Sequence, residues 1–314
     1  MDKRAVIAHE NVINADAEES AMLRGTLILA LGLTACGPID PASTMQPPAP
    51  PAGRTLIFED QFAQTSLDRS KWNVEGMNFW VNDEQQAYLD SPDTILFAQN
   101  VAGADDGRAL VLKPVWRPGV DTRKDRNADF LSGRIDSRGK FDFTHGRAEA
   151  RIRMPLDRGV WPAFWLLGNG QWPDTGEIDI MEYVGEPEWT AVAIHGPGYS
   201  GETPLVKRRN FPAGQDASGW HTYGVEWTRN AIAFDVDGDV FYTVTRKDIE
   251  QYGPWRFDTP KHLIVNFALG GVYPGKVNNL TQPYYGIPQE TVDAIKRGEV
   301  QMEVDWVRVW KSES

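Results

Sequence analysis

The segment Arg147-Ala-Glu-Ala-Arg-Ile-Arg-Met154 alternates charged and apolar residues without a break, and this constrains the fold more than any other feature. Period two marks a strand with one face in a core and the other turned away from it. Related patterning recurs in Ala109-Leu-Val-Leu112, Ile232-Ala-Phe-Asp-Val236 and Glu303-Val-Asp-Trp-Val-Arg-Val-Trp310, with turn pairs Asp106-Gly107, Asp237-Gly238 and Gly270-Gly271 between such runs. Many short strands without alternating helices predict an all-β sandwich or barrel of antiparallel sheets. Helical spacing is confined to Thr245–Tyr252 and to Gln289–Arg297, the latter opened by Pro288. No fixed-period repeat is visible.

The ends of the chain read differently. Thr26 to Leu33 is an apolar run preceded by Arg24 and followed by Leu33-Thr34-Ala35-Cys36-Gly37. This is similar to a bacterial lipoprotein signal, in which the cysteine becomes the acylated first residue. The run is too short to span a bilayer as a helix. Residues 1–21 are polar and acidic, so Met22 is the expected start and residues 1–36 form the expected signal region. Residues 37–53, including Pro47-Pro-Ala-Pro-Pro51, form a tether with little to bury. Residues 54–314 then make one folded domain. The expected location is extracytoplasmic, lipid-anchored to the envelope through Cys36. Cys36 is the single cysteine, so an internal disulfide framework is excluded.

Net charge is −12, from 44 acidic against 32 basic side chains. Such a surface does not neutralise phosphates, which excludes nucleic acid as a partner and favours a neutral substrate. A monomer is expected.

The chemistry concentrates in Gly176-Glu-Ile-Asp-Ile-Met-Glu-Tyr-Val184. In a regular strand Glu177 and Asp179 share one face and Glu182 falls on the other. One extra residue, a β-bulge at Ile180-Met181, returns Glu182 to the first face and leaves Ile178 in the core. The two Glu Cα atoms then lie about 12–13 Å apart at ~3.3 Å per residue. Long side chains leaning together can close that to the roughly 5–5.5 Å of a retaining glycosidase. Three crowded acids cannot all ionise cheaply, so one keeps a proton for a leaving group while another is free to attack.

These residues, with Ser132-Gly-Arg134, Gly146-Arg-Ala-Glu149-Ala-Arg151, Trp161-Pro-Ala-Phe-Trp165, His221-Thr-Tyr-Gly-Val-Glu-Trp227 and Val304-Asp-Trp-Val-Arg-Val-Trp310, resemble the laminarinase-like branch of glycoside hydrolase family 16. The resemblance spans nearly all of residues 54–311. It implies a concanavalin-like jelly-roll sandwich with a concave substrate cleft. It also implies an endo-acting retaining β-1,3-glucanase, active on laminarin-type and mixed-linkage β-glucan. Glu177 is then the nucleophile, Glu182 the acid/base, and Asp179 polarises the nucleophile.

The same resemblance assigns sugar contacts to Asn82, Glu84, Glu149, Arg151, Trp161, Trp172, His195 and Asn266. Glu149 and Arg151 are expected at the cleft floor beside the nucleophile, and His195 near the acid/base. Trp165 is expected in the core, and Trp227, Trp306 and Trp310 in packing. Gly271-Val-Tyr-Pro274 departs from the Asn-Trp usual in that branch. No cofactor is required for catalysis. A structural calcium on the convex side is implied, held by Asp305 and the carbonyl of Gly107, although Gln61 stands where an acidic residue is common. Agarases, carrageenases and transglycosylating enzymes share the family, as do non-catalytic glucan-binding proteins, which lose the acids. A sulfated polyanion fits poorly with the chain's negative charge.

Overall fold

The computed structural model describes residues 53–312 apart from Asp125. The signal region, Cys36 and residues 37–52 lie outside the described residues. Among the described residues the strands form an eight-stranded sheet, a seven-stranded sheet and a small three-stranded one. No described helix is long and apolar enough to cross a membrane.

The seven-stranded sheet runs, in spatial order, Leu205–Asn210, Trp189–His195, Glu177–Glu182, Val160–Gly168, Lys261–Leu269, Arg134–Asp136 and Asn73–Val74. The eight-stranded sheet runs Asp239–Thr245, Ala231–Val236, His221–Trp227, Gly146–Arg153, Met302–Ser312, Arg108–Leu112 and Ile95–Gln99, with Arg54–Asp60 also paired to Met302–Ser312. Neighbours in both sheets are antiparallel. Apolar side chains from both sheets make one core, for example Ala148, Ala150 and Ile152 with Phe164, Leu166, Ile178 and Val265. This is the sandwich that period two predicts, since each strand buries alternate residues.

Arg147 to Arg153 shows the alternation directly: Ala148, Ala150 and Ile152 are buried, and the charged residues between them face away from the core. Trp227, Trp306 and Trp310 are buried as expected. The third sheet pairs Gln86–Tyr88 in parallel with Arg126–Ser132, which pairs antiparallel with Val115–Lys124. It has its own small apolar cluster of Ala87, Ala128 and Leu131.

Gln289–Arg297 is helical with the expected bounds, and Gly298 ends it in the left-handed conformation. The other expected helix is shorter, Arg246–Ile249: Thr245 caps its start in a capping box with Asp248, and beyond Ile249 the chain passes into turns in which the Tyr252 N–H bonds the Ile249 carbonyl. A third helix, Val272–Asn278, was not expected. Its Gly271, Pro274 and Gly275 read as turn residues, but Pro274 sits in the first turn, where a helix needs no N–H donor from it.

Candidate active site

Strand Glu177–Glu182 lies between Val160–Gly168 and Trp189–His195. Its register against the second neighbour pairs Glu177 with His195, Asp179 with Ala193 and Glu182 with Ala191. Three residues on one strand thus span two on the other. The same slip is seen opposite Phe164 and Trp165 on the first neighbour. Ile178, Ile180 and Met181 all enter the core, so two consecutive side chains point inward at the bulge. Glu177, Asp179 and Glu182 consequently share the face turned away from the core.

Asp179 is 5% exposed, and the two glutamates are half-buried on either side of it. Trp161 Nε1 donates to Glu182 Oε1 at 3.0 Å. His195 Nε2 stands 3.2 Å from Asp179 Oδ2 and 3.7 Å from Glu177 Oε1, close enough to pair electrostatically. The buried Asp179 Oδ2 nevertheless has no partner with hydrogen-bond geometry. His195 therefore serves Glu177 and Asp179 more directly than the acid/base position expected for it, because register sets it opposite Glu177.

Burial, reinforced by the Asp179 charge, lifts Glu177 from its ordinary 4.5 to about 8, with His195 opposing the rise and Arg134 opposing it more weakly. Burial and Asp179 likewise lift Glu182 to about 8, against His195 and the Trp161 N–H. Burial raises Asp179 well above the carboxylate range. The cluster thus retains protons into neutral pH, the condition for a carboxylate and a carboxylic acid to coexist in one site. Ligand atoms of Glu177, Asp179 and His195 lie within 4.8 Å of one another. A divalent ion could bridge them, but only through the same side chains.

The neighbouring strand completes the floor. Trp161, Ala163 and Trp165 alternate onto the open face, opposite Ala268, Asn266 and Ile264. Trp165 is thus half-buried beside the site, not in the core as expected, and its Nε1 donates to Asn266 Oδ1 at 2.7 Å. Asn266 Nδ2 donates to Tyr88 Oη at 3.2 Å, and Tyr88 donates to Glu84 Oε2 at 3.3 Å. Glu84 also accepts from Gln86 at 2.7 Å and from Asn82 Nδ2 at 3.4 Å. Glu84 and Asn266 are buried within this network and brace the floor; Asn82 is exposed.

Arg134 joins the two halves: its guanidinium lies 4.4 Å from the Phe79 ring centroid, 5.0 Å from that of Trp165 and 5.9 Å from that of Tyr88. Trp172 is 42% exposed, and its ring lies 6.1 Å from that of His195, leaving an aromatic surface beside the acids. At the opposite end of the strand Tyr273, from the unexpected helix, packs edge-on against Trp161 at 5.6 Å.

Glu149 and Arg151 are not in this site. Both lie on the eight-stranded sheet, on the side away from the core. Glu149 pairs with Arg147, which also holds Asp235, and Arg151 pairs with Asp305. Period two correctly gave the two residues a common face; the cleft placement came from the family resemblance, and their strand lies in the other sheet.

The calcium ligands expected on that sheet are committed elsewhere. Asp305 Oδ2 accepts from Arg151 and from the Asp105 N–H at 3.0 Å. Arg151 Nη1 also donates to the Gly103 carbonyl at 2.8 Å and approaches Asp105 Oδ1 at 3.2 Å. The Gly107 carbonyl accepts from the Val101 N–H at 2.9 Å. A guanidinium thus fills the oxygen-lined position, and this donor set does not fit an ion that takes six to eight oxygens.

Sequence reasoning missed Trp165 and Tyr273 as site residues. For Trp165 a signal existed: two-residue spacing from Trp161 already implied a shared face. For Tyr273 the signal was its segment, Gly271-Val-Tyr-Pro274, which stands where the resembling branch carries Asn-Trp at a subsite.

A model of the family described as glycosyl hydrolases family 16 matches residues 99–308. The endo-β-1,3-glucanase of Pyrococcus furiosus has a similar structure, with TM-score 0.70 and 31% identity over 82% of this chain and 94% of that one. A β-glucanase of Rhodothermus marinus is 30% identical over 269 residues, 82% of this chain and 85% of the relative. Glucan endo-1,3-β-glucosidase A1 of Niallia circulans is 32% identical over 289 residues, 83% of this chain, which spans 38% of that longer relative. The antiparallel, jelly-roll-like sandwich agrees with these likenesses, and the chain belongs to glycosyl hydrolases family 16.

Proposed function

We propose that the chain is an endo-acting, retaining β-glucan hydrolase that cleaves β-1,3-glucosidic bonds of laminarin-type and mixed-linkage glucans. The observation that carries this reading is the bulge at Ile180-Met181, which sets Glu177 and Glu182 on one open face around a buried Asp179. The glucanase relatives named above support the substrate class.

In the first half-reaction the Glu177 carboxylate attacks the anomeric carbon and forms a glycosyl ester. Glu182 gives its proton to the departing glycosidic oxygen, and the Trp161 N–H fixes its orientation. In the second, Glu182 takes a proton from water, whose oxygen displaces Glu177 from the anomeric carbon. Two inversions give net retention. Asp179, the most buried of the three acids, stands between the two glutamates and disfavours charge on both, so that Glu182 holds its proton beside an ionised Glu177. Trp172 and Trp161 offer ring faces for stacking on sugars. Glucan binding without catalysis would not call for the three acids.

The test is to offer the purified domain laminarin, barley glucan, agarose and carrageenan and to follow reducing ends and product anomer. β-Anomeric products from laminarin are expected, with almost none after Glu177→Gln. Unchanged activity in that variant, or α-anomeric first products, would refute the mechanism. Export and lipid anchoring through Cys36 are part of the same proposal and rest on the sequence of residues 22–37 alone. Palmitate incorporation lost in Cys36→Ala checks them.

A further inference from the structure

One buried charge takes no part in the mechanism above. Lys261 opens strand Lys261–Leu269 and is 0% exposed. Its alternation partners Leu263, Val265 and Phe267 are core residues, so the ammonium lies beneath the sheet, on the side opposite the sugar face. Rings of Phe257 and Trp227 flank it, with centroids 5.2 and 5.6 Å from Nζ. Taking an ammonium out of water is costly, and the ring faces offset only part of that unless hydrogen-bond acceptors also meet it. An apolar residue would fill the same space at no such cost.

The partners of Lys261 are main-chain carbonyls: it donates to Thr175 O at 2.8 Å and to Arg256 O at 3.1 Å. Thr175 is two residues before Glu177. The residue between them, Gly176, has φ +70°, and a Cβ there would lie 2.7 Å from Arg256 O and 3.1 Å from Lys261 Nζ. The turn that delivers Glu177 to its strand is therefore seated on the ammonium. Asp258, the carboxylate on the adjoining turn, is already shared by Arg246 at 3.0 Å and His145 at 3.6 Å. The neighbouring His262 is held near 4 by burial and by the positive charges around it, and stays neutral.

We propose that Lys261 is a positioning residue for Glu177, fixing the Thr175–Gly176 turn and placing a positive charge behind the nucleophile. This rests on the assignment of Glu177 as nucleophile. The groups acting on Glu177 are then Asp179 and Glu182, which favour its protonated form, and His195, Arg134 and Lys261, which favour its ionised form. Burial lowers Lys261 itself to about 7. Asp258 and the charge of Glu177 oppose that fall, so the ammonium and the carboxylate of the nucleophile favour each other's ionised forms.

The experiment compares Lys261→Met, Lys261→Gln and Lys261→Arg with the wild type. The substrate is an aryl β-laminarioligoside whose good leaving group makes glycosylation depend on Glu177 alone. Glutamine keeps N–H donors for the two carbonyls without the charge, so it decides the matter if the methionine variant does not fold. The expected result is a tenfold to hundredfold loss of kcat/KM in the glutamine variant. The acid limb of its pH profile should move up by about one pH unit, the scale on which one nearby charge shifts a carboxyl. Arginine should keep the limb in place.

A glutamine variant that loses thermal stability but keeps the wild-type acid limb would show a merely structural lysine and overturn the proposal. Labelling the wild type with an epoxyalkyl oligoglucoside separates the two readings. If the labelled residue is not Glu177, the catalytic assignment fails first, whatever Lys261 does.

Discussion

Replacing Glu182 with glutamine should stabilise the fold while removing its activity, and the gain should depend on pH with a definite sign. The folded state holds Glu182 at about 8 against an ordinary 4.5, because burial and Asp179 disfavour its charge. Between those values the folded protein keeps a proton that the unfolded chain releases. The ionisable side chain therefore costs stability increasingly as pH rises from 4.5 to 8, and constantly above that. At ~1.36 kcal/mol per pH unit the full displacement corresponds to roughly 5 kcal/mol. That is a ceiling, because the three acids share their repulsion and relax when one is neutralised. A gain of about 2 kcal/mol is expected, or roughly 4–8 °C in Tm for a domain of this size. Glutamine keeps an Oε1 to accept the Trp161 N–H, so the carboxylate charge is all that changes. Thermal melts followed by circular dichroism at pH 4 and pH 8 provide the assay. Stabilisation at pH 8 that vanishes at pH 4 is the expected outcome. No gain at pH 8, or an equal gain at both, would refute the argument that buried like charges crowd this site.

Other consequences follow from the same geometry. Trp161→Phe removes the N–H that opposes the rise of Glu182; kcat/KM should fall about tenfold and the basic limb of the pH profile should move upward. Inserting one alanine between Met181 and Glu182 turns Glu182 from the open face toward the core, and the loss in kcat/KM should be on the order of 10³. Chelation with EDTA should leave Tm within about 1 °C, since Arg151 already occupies the carboxylate of Asp305. Arg151→Met should lower stability by about 1–3 kcal/mol by leaving that buried carboxylate short of a donor.

Alternation carried the fold a long way. Ala148, Ala150 and Ile152 point into the core where period two put them, and the helix Gln289–Arg297 has the predicted bounds. The bulge was legible because Glu182 makes chemical sense on only one face. What alternation does not encode is which face of which sheet binds substrate. The family resemblance set Glu149 and Arg151 in the cleft although their strand belongs to the other sheet, and alternation, which looks the same on either sheet, offered no check. Helix Val272–Asn278 stayed hidden because glycine and proline usually punctuate a chain, and with it Tyr273 was missed. Lys261 gave no signal because a lysine between Pro260 and the apolar run that begins at Leu263 reads as a strand end. Only the three-dimensional arrangement shows the two carbonyls and the aromatic rings that hold it.

Azide rescue tests the central assignment most directly, because it reads the role of each glutamate from the stereochemistry of one product. With Glu182→Ala and an activated β-laminarioligoside, azide should intercept the ester on Glu177 and give a β-glycosyl azide. With Glu177→Ala it should attack the substrate itself and give the α-glycosyl azide. The opposite pair of anomers would exchange the two roles, and wild-type hydrolysis persisting in both variants without azide would contradict the account.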